Sequence, residues 1–344
     1  MPSTRTPGRR VAERAPSRLG PGLVVHLARA AWWLAMAAAV GLIAASALEV
    51  GPARGDEVAA VLVSTCYTVA LAIRTGGRPL VFGGVALLLG GAAVLADLPT
   101  VRDGAAVLTA VAAGVLAVMA TVPAVRFRAA VGEALLAAVI AGIGAFAVIG
   151  YRPQVELDRF DYLSLALAFL LATGLVYRLG AGLYGLGRRG LVVVLLGSVV
   201  LAGTLAYAEL LRRYGAPDVV DSIVEGVRWV RANLGAVPRP IQVLVGVPAL
   251  VWGTHMRARR RQGWWVSAFG VAATVSIAGL LVNPATRLAE AGLITAYSLA
   301  LGLLIGYLII RIDLAFTAPG GRRGRRAEEL TALRPEPGRF QPLL

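Results

Sequence analysis

The sequence predicts an all-α membrane protein, a polytopic bundle of about ten transmembrane helices with one amphipathic helix between spans seven and eight. Of its 344 residues, 58% are hydrophobic and 15% are charged, which is too apolar for a soluble domain. Long uncharged runs of Ala, Val, Leu, Gly and Ile recur along nearly the whole chain. Because lipid offers no partner for backbone amides, such runs are expected to be helices that cross the bilayer.

The chain begins with a basic arm at residues 1–26. This stretch is rich in Arg, Pro and Ser and has no apolar periodicity, so we expect a disordered cytoplasmic arm. The transmembrane domain then covers residues 27–312, with a first span at about Leu27–Leu48. Since this run is longer than the apolar core of a signal peptide, we interpret it as an uncleaved anchor.

Nine further apolar runs predict the remaining spans. The second, sixth and eighth are close to the lower length limit for a membrane helix. Pro123 and Pro248 lie inside predicted spans and are expected to kink them unless neighbours satisfy the freed carbonyls. The nine predicted spans are about Val58–Ile73, Leu80–Ala96, Ala105–Val125, Ala130–Gly150, Tyr162–Tyr177, Leu191–Leu211, Ile241–Met256, Trp264–Val282 and Gly292–Ile312.

The long connection between spans seven and eight predicts an amphipathic helix at about residues 218–234. Pro217-Asp218 is a start signal and Gly235 a stop signal. Valines and an isoleucine recur at three- and four-residue steps on one face, and polar residues occupy the other. We expect this helix to lie in the outer membrane interface, although a tryptophan falls on its polar face. The residues assigned to it are Val220, Ile223, Val227, Trp229 and Val230.

The chain ends in a second basic stretch, at residues 313–344. An arginine cluster at 322–326 is followed by Pro-rich polar sequence, which predicts a disordered cytoplasmic tail. With both termini in the cytoplasm, 24 arginines and 6 acids lie inside, against 10 arginines and 13 acids outside. This bias supports a multi-pass protein of the cytoplasmic membrane with its termini inside.

Ionisable residues near the spans are the candidates for a functional site, because charge is costly in a bilayer. The hypothesis is an outer-facing polar pocket beneath the amphipathic helix, for binding of a substrate. The alternative for Glu209 is a local pair with Arg212 or Arg213 along its own helix. The residues assigned to the pocket are Asp97, Asp161, Tyr162, Glu209 and Arg212.

Glu133 is a separate candidate, about one turn into the fifth span from the cytoplasmic side. One hypothesis makes it a proton-relay carboxylate. The other makes it an interfacial ion pair with Arg126 or Arg128.

The sequence predicts no cofactor and no metal. Cys66 is the single cysteine, and the two histidines, His26 and His255, are far apart. No nucleophile elbow or phosphate-binding glycine loop is present. The expected partners are membrane lipids, since arginines just inside a membrane attract anionic headgroups. We expect no nucleic acid as a partner.

These observations predict a transporter-like protein that moves a lipid-linked or small amphipathic substrate. One alternative is a non-catalytic scaffold or assembly factor that binds subunits of a cell-envelope complex. A second is a membrane enzyme that acts on a lipid-linked substrate at the outer face, motivated by Asp56-Glu57 in the first outer loop. The exclusive use of Arg over Lys, with abundant Ala, Gly and Pro, indicates a bacterial genome of high G+C content.

Overall fold

A computed structural model describes residues 21–179, 183–215, 217–259, 263–317, 336–339 and 341–343. Within these ranges, the side chains of 21, 22, 24, 183–190, 193, 208, 209, 212, 217 and 219 are outside the description. The regular elements of the described chain are all helical. They are α1 (Pro21–Ala47), α2 (Gly55–Arg74), α3 (Pro79–Ala96), α4 (Pro99–Met119), α5 (Phe127–Gly150), α6 (Leu157–Arg178), α7 (Leu183–Tyr214), α8 (Pro217–Leu234), a π-helix (Gln242–Gly246), α9 (Val247–Arg257), α10 (Gly263–Ala268), α11 (Val271–Thr274), α12 (Ser276–Val282) and α13 (Leu288–Thr317).

Eight helical stretches in the described part of the chain are long and apolar enough to cross a membrane. They match predicted spans one to six, nine and ten. The predicted seventh span lies in α7, whose apolar stretch is the shorter Val194–Tyr207. The predicted eighth span is formed by the short π-helix and α9. The chain therefore has the composition of a multi-pass membrane protein, and the count of ten spans stays a prediction.

Contacts between helix ends show how the helices alternate in direction. Glu57 at the start of α2 pairs with Arg102 at the start of α4. Arg74 at the end of α2 donates to the carbonyl oxygen of Met119 at the end of α4. α2 and α4 therefore run in the same direction between the two ends of the bundle. We call the end with Glu57 the outer end and the end with Arg74 the inner end, following the predicted orientation.

Small residues bring the central helices into close contact. Gly144 of α5 lies directly against Ala113 of α4, and Gly150 lies against the backbone carbonyl of Asp56. Ala137 and Ala141 of α5 are almost fully buried. Lipid is as apolar as the side chains, so helices in a membrane associate through close packing and hydrogen bonds, and small residues allow both.

Of the two prolines that were predicted to kink spans, only Pro248 lies within a helix. Pro123 is outside any helix, because α4 ends at Met119, earlier than predicted. Pro248 is the second residue of α9. The residue before it, Val247, directly follows the π-helix and donates from its N–H to the carbonyl of Gln242. A proline ring clashes with the carbonyl four residues before it and cannot donate to it. The wider π turn accommodates that clash.

The ninth predicted span is also interrupted, and its middle part, α11, packs against the π-helix. The stretch Gly263–Val282 is divided into α10, α11 and α12. At the first break, Phe269 and Gly270 donate to carbonyls three residues back, as in a 3₁₀ turn. Gly246 at the end of the π-helix lies against the backbone of Ala273. Two interrupted segments therefore meet inside the bundle.

This close approach predicts an asymmetry between two glycine-to-alanine substitutions. In Gly246→Ala the new methyl group would meet the backbone of Ala273, and overpacking of this kind costs about 1–3 kcal/mol. In Gly91→Ala the methyl group enters open space, so helix propensity alone acts and favours alanine. We expect thermal unfolding in detergent to show a lower Tm for Gly246→Ala and an unchanged or higher Tm for Gly91→Ala. Equal Tm values for the two variants would contradict the contact.

Candidate functional site

A non-helical segment enters the outer end of the bundle between α8 and the π-helix. Gly235 ends α8 with φ of +77°, a backbone conformation that glycine adopts without strain. Ala236 is fully buried against Leu280, Ala291 and Ile294. The non-helical residues 235–239 therefore lie between α12 and α13. Irregular backbone at such a depth is tolerated in a membrane only where protein or a cavity surrounds it.

The sequence of this segment reduces the number of backbone donors that need a partner. Pro238 and Pro240 have no N–H group. Between them, the N–H of Arg239 donates to Oγ of Ser298 in α13, with an N···O distance of 3.0 Å. Ser298 is ten residues from the start of α13, or about 15 Å along the helix axis. The segment thus reaches well into the bundle.

The side chain of Arg239 contacts two further helices, α12 and α6. Its Nη1 donates to the carbonyl oxygen of Ser276, at the start of α12, over 3.1 Å. Its Nη2 lies 3.5 Å from Oδ2 of Asp161 in α6, and both side chains are only partly buried. An N⁺–H···O⁻ bond is normally about 2.7–2.9 Å long. The Arg239–Asp161 pair is therefore loose, and part of the guanidinium remains accessible.

Gln242, the first residue of the π-helix, is the polar group at the base of this site. Its side chain is 2% exposed. Its Nε2 donates to the carbonyl oxygen of Ala273 over 3.2 Å, whereas its Oε1 accepts no hydrogen bond from the described residues. An unsatisfied buried polar atom costs about 1–3 kcal/mol, so such an atom requires an explanation beyond packing.

Gln242 lines a cavity of about 10 Å³ between the two interrupted segments, α5 and α13. This volume accommodates roughly the centre of one water molecule. The wall combines apolar side chains with three hydroxyl-bearing residues, Thr274, Thr295 and Ser298. We refer to Asp161, Arg239, Gln242, Ser276 and Ser298 together as the Arg239–Gln242 site. It offers a cationic donor at its outer edge and an amide acceptor below it.

The residues assigned to the outer pocket are distributed over different places. Asp161 belongs to the Arg239–Gln242 site, and its neighbour Tyr162 is 54% exposed. Asp97 pairs with Arg102 at the outer end, over 2.9 Å, and no contact between Asp97 and Asp161 occurs among the described residues. The side chains of Glu209 and Arg212 lie outside the described residues.

Asp97 is part of an ion-pair network at the outer end. Arg102 bridges it to Glu57, which is almost fully buried, over 3.0 Å. Arg152 pairs with Asp56 over 2.9 Å, and this carboxylate raises the pKa of the Arg152 guanidinium by stabilising its charged form. The two acids of the first outer loop are thus both held in ion pairs that tie α2 to α4 and to the end of α5.

The amphipathic helix exists as α8, with bounds close to those predicted. Ile223 and Val227 on its valine face are exposed, and Val220 and Val230 are partly buried. Trp229 on the polar face is 63% exposed. Near its end, α8 is tied to α13: Arg231 pairs with Glu290 over 2.7 Å, and the hydroxyl of Tyr297 donates to the carbonyl of Leu234.

Glu133 lies at the inner end of α5. Its carboxylate accepts a hydrogen bond from the N–H of Val122 over 2.9 Å. Its ion-pair partner is Arg339 of the C-terminal tail, over 2.9 Å, rather than Arg126 or Arg128. The carboxylate is therefore engaged on both sides. Its assignment as a proton relay remains a hypothesis.

No family model, no curated protein and no solved structure matches this chain. Within the described ranges, no group of three or more His, Cys, Asp and Glu side chains is arranged to hold a metal ion. The candidate site therefore depends on the geometry of the chain itself.

Arg239 and Gln242 were not singled out by the sequence, although two signals point to them. Arg239 stands between two prolines directly before a predicted span, and Gln242 is an isolated amide in an apolar run. An arginine at a membrane boundary is ordinarily a solvated flanking residue. The inward course of Pro238–Pro240 depends on its packing against α12 and α13, which local sequence patterns do not predict.

The outer network predicts a stability effect of one charge. In Arg102→Gln the buried Glu57 loses its nearest guanidinium. Removing one partner of a fully buried pair costs about 3–5 kcal/mol. Since Arg152 still lies 3.7 Å from Glu57, we expect a loss of about 2 kcal/mol in the free energy of unfolding, measured by denaturation in detergent. Arg159→Gln is the control, because Arg159 and its partner Glu156 are largely exposed, and such pairs contribute about 0–1 kcal/mol. Equal losses in the two variants would contradict this role of Arg102.

Proposed function

We propose that this chain is a transporter-like protein of the cytoplasmic membrane and that the Arg239–Gln242 site binds its substrate. The observation that carries the proposal is the meeting of two interrupted segments around Gln242, whose Oε1 has no donor among the described residues. Membrane transporters commonly form their substrate sites where two discontinuous helices face each other, since such helices free backbone groups and allow movement.

The position of the site supports the same reading. Arg239 and Asp161 lie at its outer edge, and Gln242, Thr274 and Thr295 add polar groups to the adjoining cavity. An ionisable side chain inside a membrane bundle is costly and is a functional candidate by default. A loosely held guanidinium can exchange its carboxylate partner for a substrate at small cost.

The chemistry of the site indicates the class of substrate. A guanidinium recognises carboxylate and phosphate groups through paired N–H donors. The rest of the wall of the 10 Å³ cavity is mainly apolar, with Leu250, Ile277 and Leu299 among its residues, and the two segments must separate to admit a ligand larger than water. We therefore propose a lipid-linked or small amphipathic molecule that has an apolar part and a carboxylate or phosphate at its polar end.

We further propose that α8 lies in the outer interface, with its valine face toward lipid. The exposed Ile223 and Val227 and the attachment of the helix end to α13 support this placement. Because α8 leads directly into Gly235 and Arg239, a lipid-borne substrate would reach the site beside it. Asp56 and Glu57, which motivated the enzyme alternative, are engaged in ion pairs at the outer end. Their positions therefore give that alternative no support.

Native mass spectrometry of the purified protein tests this function. We expect the parent chain to retain a lipid or small molecule with a carboxylate or phosphate, and its mass and fragmentation distinguish these sources. Arg239→Gln and Gln242→Leu should each reduce affinity for that molecule about tenfold or more, since a hydrogen bond to a charged group contributes about 1.5–3 kcal/mol.

Arg228→Gln is the matched control, because it removes an exposed arginine of α8 outside the site. It should bind like the parent. Binding that is unaffected by Arg239→Gln and Gln242→Leu would contradict the site. Co-purification of stoichiometric protein subunits in place of a small molecule would instead favour the scaffold alternative.

A further inference from the structure

The end of the C-terminal tail lies across the inner end of the bundle. The described residues of this tail, 336–339 and 341–343, make specific contacts with α2, α5, α9 and the 120–126 linker. We call these residues the C-terminal segment. Its contacts connect it to three charged side chains of the bundle, namely Arg74, Glu133 and Arg257.

Arg257 is the most deeply buried of the three. Its guanidinium is fully inaccessible and lies 3.6 Å from the centre of the Trp264 ring. It donates to Oγ1 and to the carbonyl of Thr121, over 2.7 and 2.8 Å. The only carboxylate within ion-pair distance among the described residues is that of Glu336, at 2.7 Å. The segment therefore supplies the carboxylate that pairs with this buried guanidinium.

Glu133 is recognised by the opposite charge on the segment. Arg339 donates from Nη1 and Nη2 to the two carboxylate oxygens, over 3.1 and 2.9 Å. Its Nη1 also lies 3.3 Å from the carbonyl oxygen of Ala120. Two parallel bonds of this kind fix the geometry as well as the charge.

Arg74 holds the backbone of the segment rather than a side chain. Its Nη1 donates to the carbonyls of Gly338 and Gln341, over 2.7 and 2.8 Å. The N–H of Leu343 donates back to the carbonyl of Arg74 over 2.8 Å. These bonds recognise a peptide chain as such, whichever side chains it carries.

We propose that the inner end of the bundle is a peptide-binding site whose ligand is the chain's own C-terminal segment, which closes this end reversibly. The site recognises a peptide with a carboxylate and a guanidinium three residues apart, followed by a turn in which the N–H of Gln341 donates to the carbonyl of Gly338. Glu336 and Arg339 meet Arg257 and Glu133, so each charge of the ligand faces its opposite. If the C-terminal segment bound one residue further along, both ion pairs would be lost. The two pairs therefore fix the position at which the segment binds.

The composition of the segment favours docking. Pro337 and Pro342 restrict the unbound peptide, which lowers the entropy that is lost on binding. Glu336 and Arg339 retain partial exposure, so water can reach the pairs and the segment can leave. This inference concerns the inner end alone and holds whether or not the Arg239–Gln242 site binds a substrate.

Thiol labelling of the purified full-length chain tests the closure. In a Cys66→Ala background, Ala120→Cys places a single thiol at a buried position whose carbonyl contacts Arg339. We expect Arg339→Glu to raise the labelling rate about tenfold or more, the factor that corresponds to ~1.4 kcal/mol. Glu336→Arg should act in the same direction, and Arg339→Lys should remain closer to the parent. Arg311→Glu is the matched control at an exposed arginine of α13 and should leave the rate unchanged.

A synthetic peptide of residues 336–344 then separates loss of docking from loss of folding. Added to the Arg339→Glu chain, it should slow labelling toward the parent rate. A peptide in which the glutamate and the arginine are exchanged should leave the labelling rate unchanged. An unchanged labelling rate in Arg339→Glu, or a failure of the native peptide to slow it, would overturn the proposal.

Discussion

Every polar group inside a membrane bundle must find its partner within the protein, and the segment 235–241 meets this constraint with few groups. Prolines remove two backbone donors, Ser298 accepts a third, and Arg239 is held by α6 and α12. The inward course of this segment brings a π turn against an interrupted span. Oε1 of Gln242 is one of several buried side-chain atoms without a partner in the described chain. It belongs to a residue that lines the cavity, and the proposed function is built on it.

The two ends of the bundle are held by charge in different ways. At the outer end, Arg102 and Arg152 join helices that are close in sequence, and the pairs are part of the scaffold. At the inner end, Arg257 and Glu133 receive their partners from the last residues of the chain. A buried charge that loses its partner destabilises the protein. Release of the C-terminal segment would leave Arg257 and Glu133 unpaired, so the proposed change of state at the inner end requires other groups or water to reach them.

Composition and periodicity predicted the class of fold, the helical segments and α8, because these depend on local patterns such as apolar runs, Pro217 and Gly235. Local patterns could not predict which oppositely charged side chain pairs with each ionisable residue. Glu133 was expected to pair with Arg126 or Arg128 nearby, whereas its partner Arg339 is 206 residues away. Of the residues predicted to form the outer pocket, Asp161 is part of the Arg239–Gln242 site and Asp97 is not. Side chains at the same depth in the membrane meet only where their helices are in contact.

The central claim is that the Arg239–Gln242 site opens to the outer solution. In a Cys66→Ala background, Ser298→Cys reports on the buried site and Ser222→Cys on the exposed face of α8. The measurement is the rate at which a small membrane-impermeant thiol reagent, added outside intact cells, labels each variant. We predict labelling of both, slower at Ser298→Cys and slowed further by bound substrate. Labelling of Ser222→Cys with none at Ser298→Cys would contradict the claim.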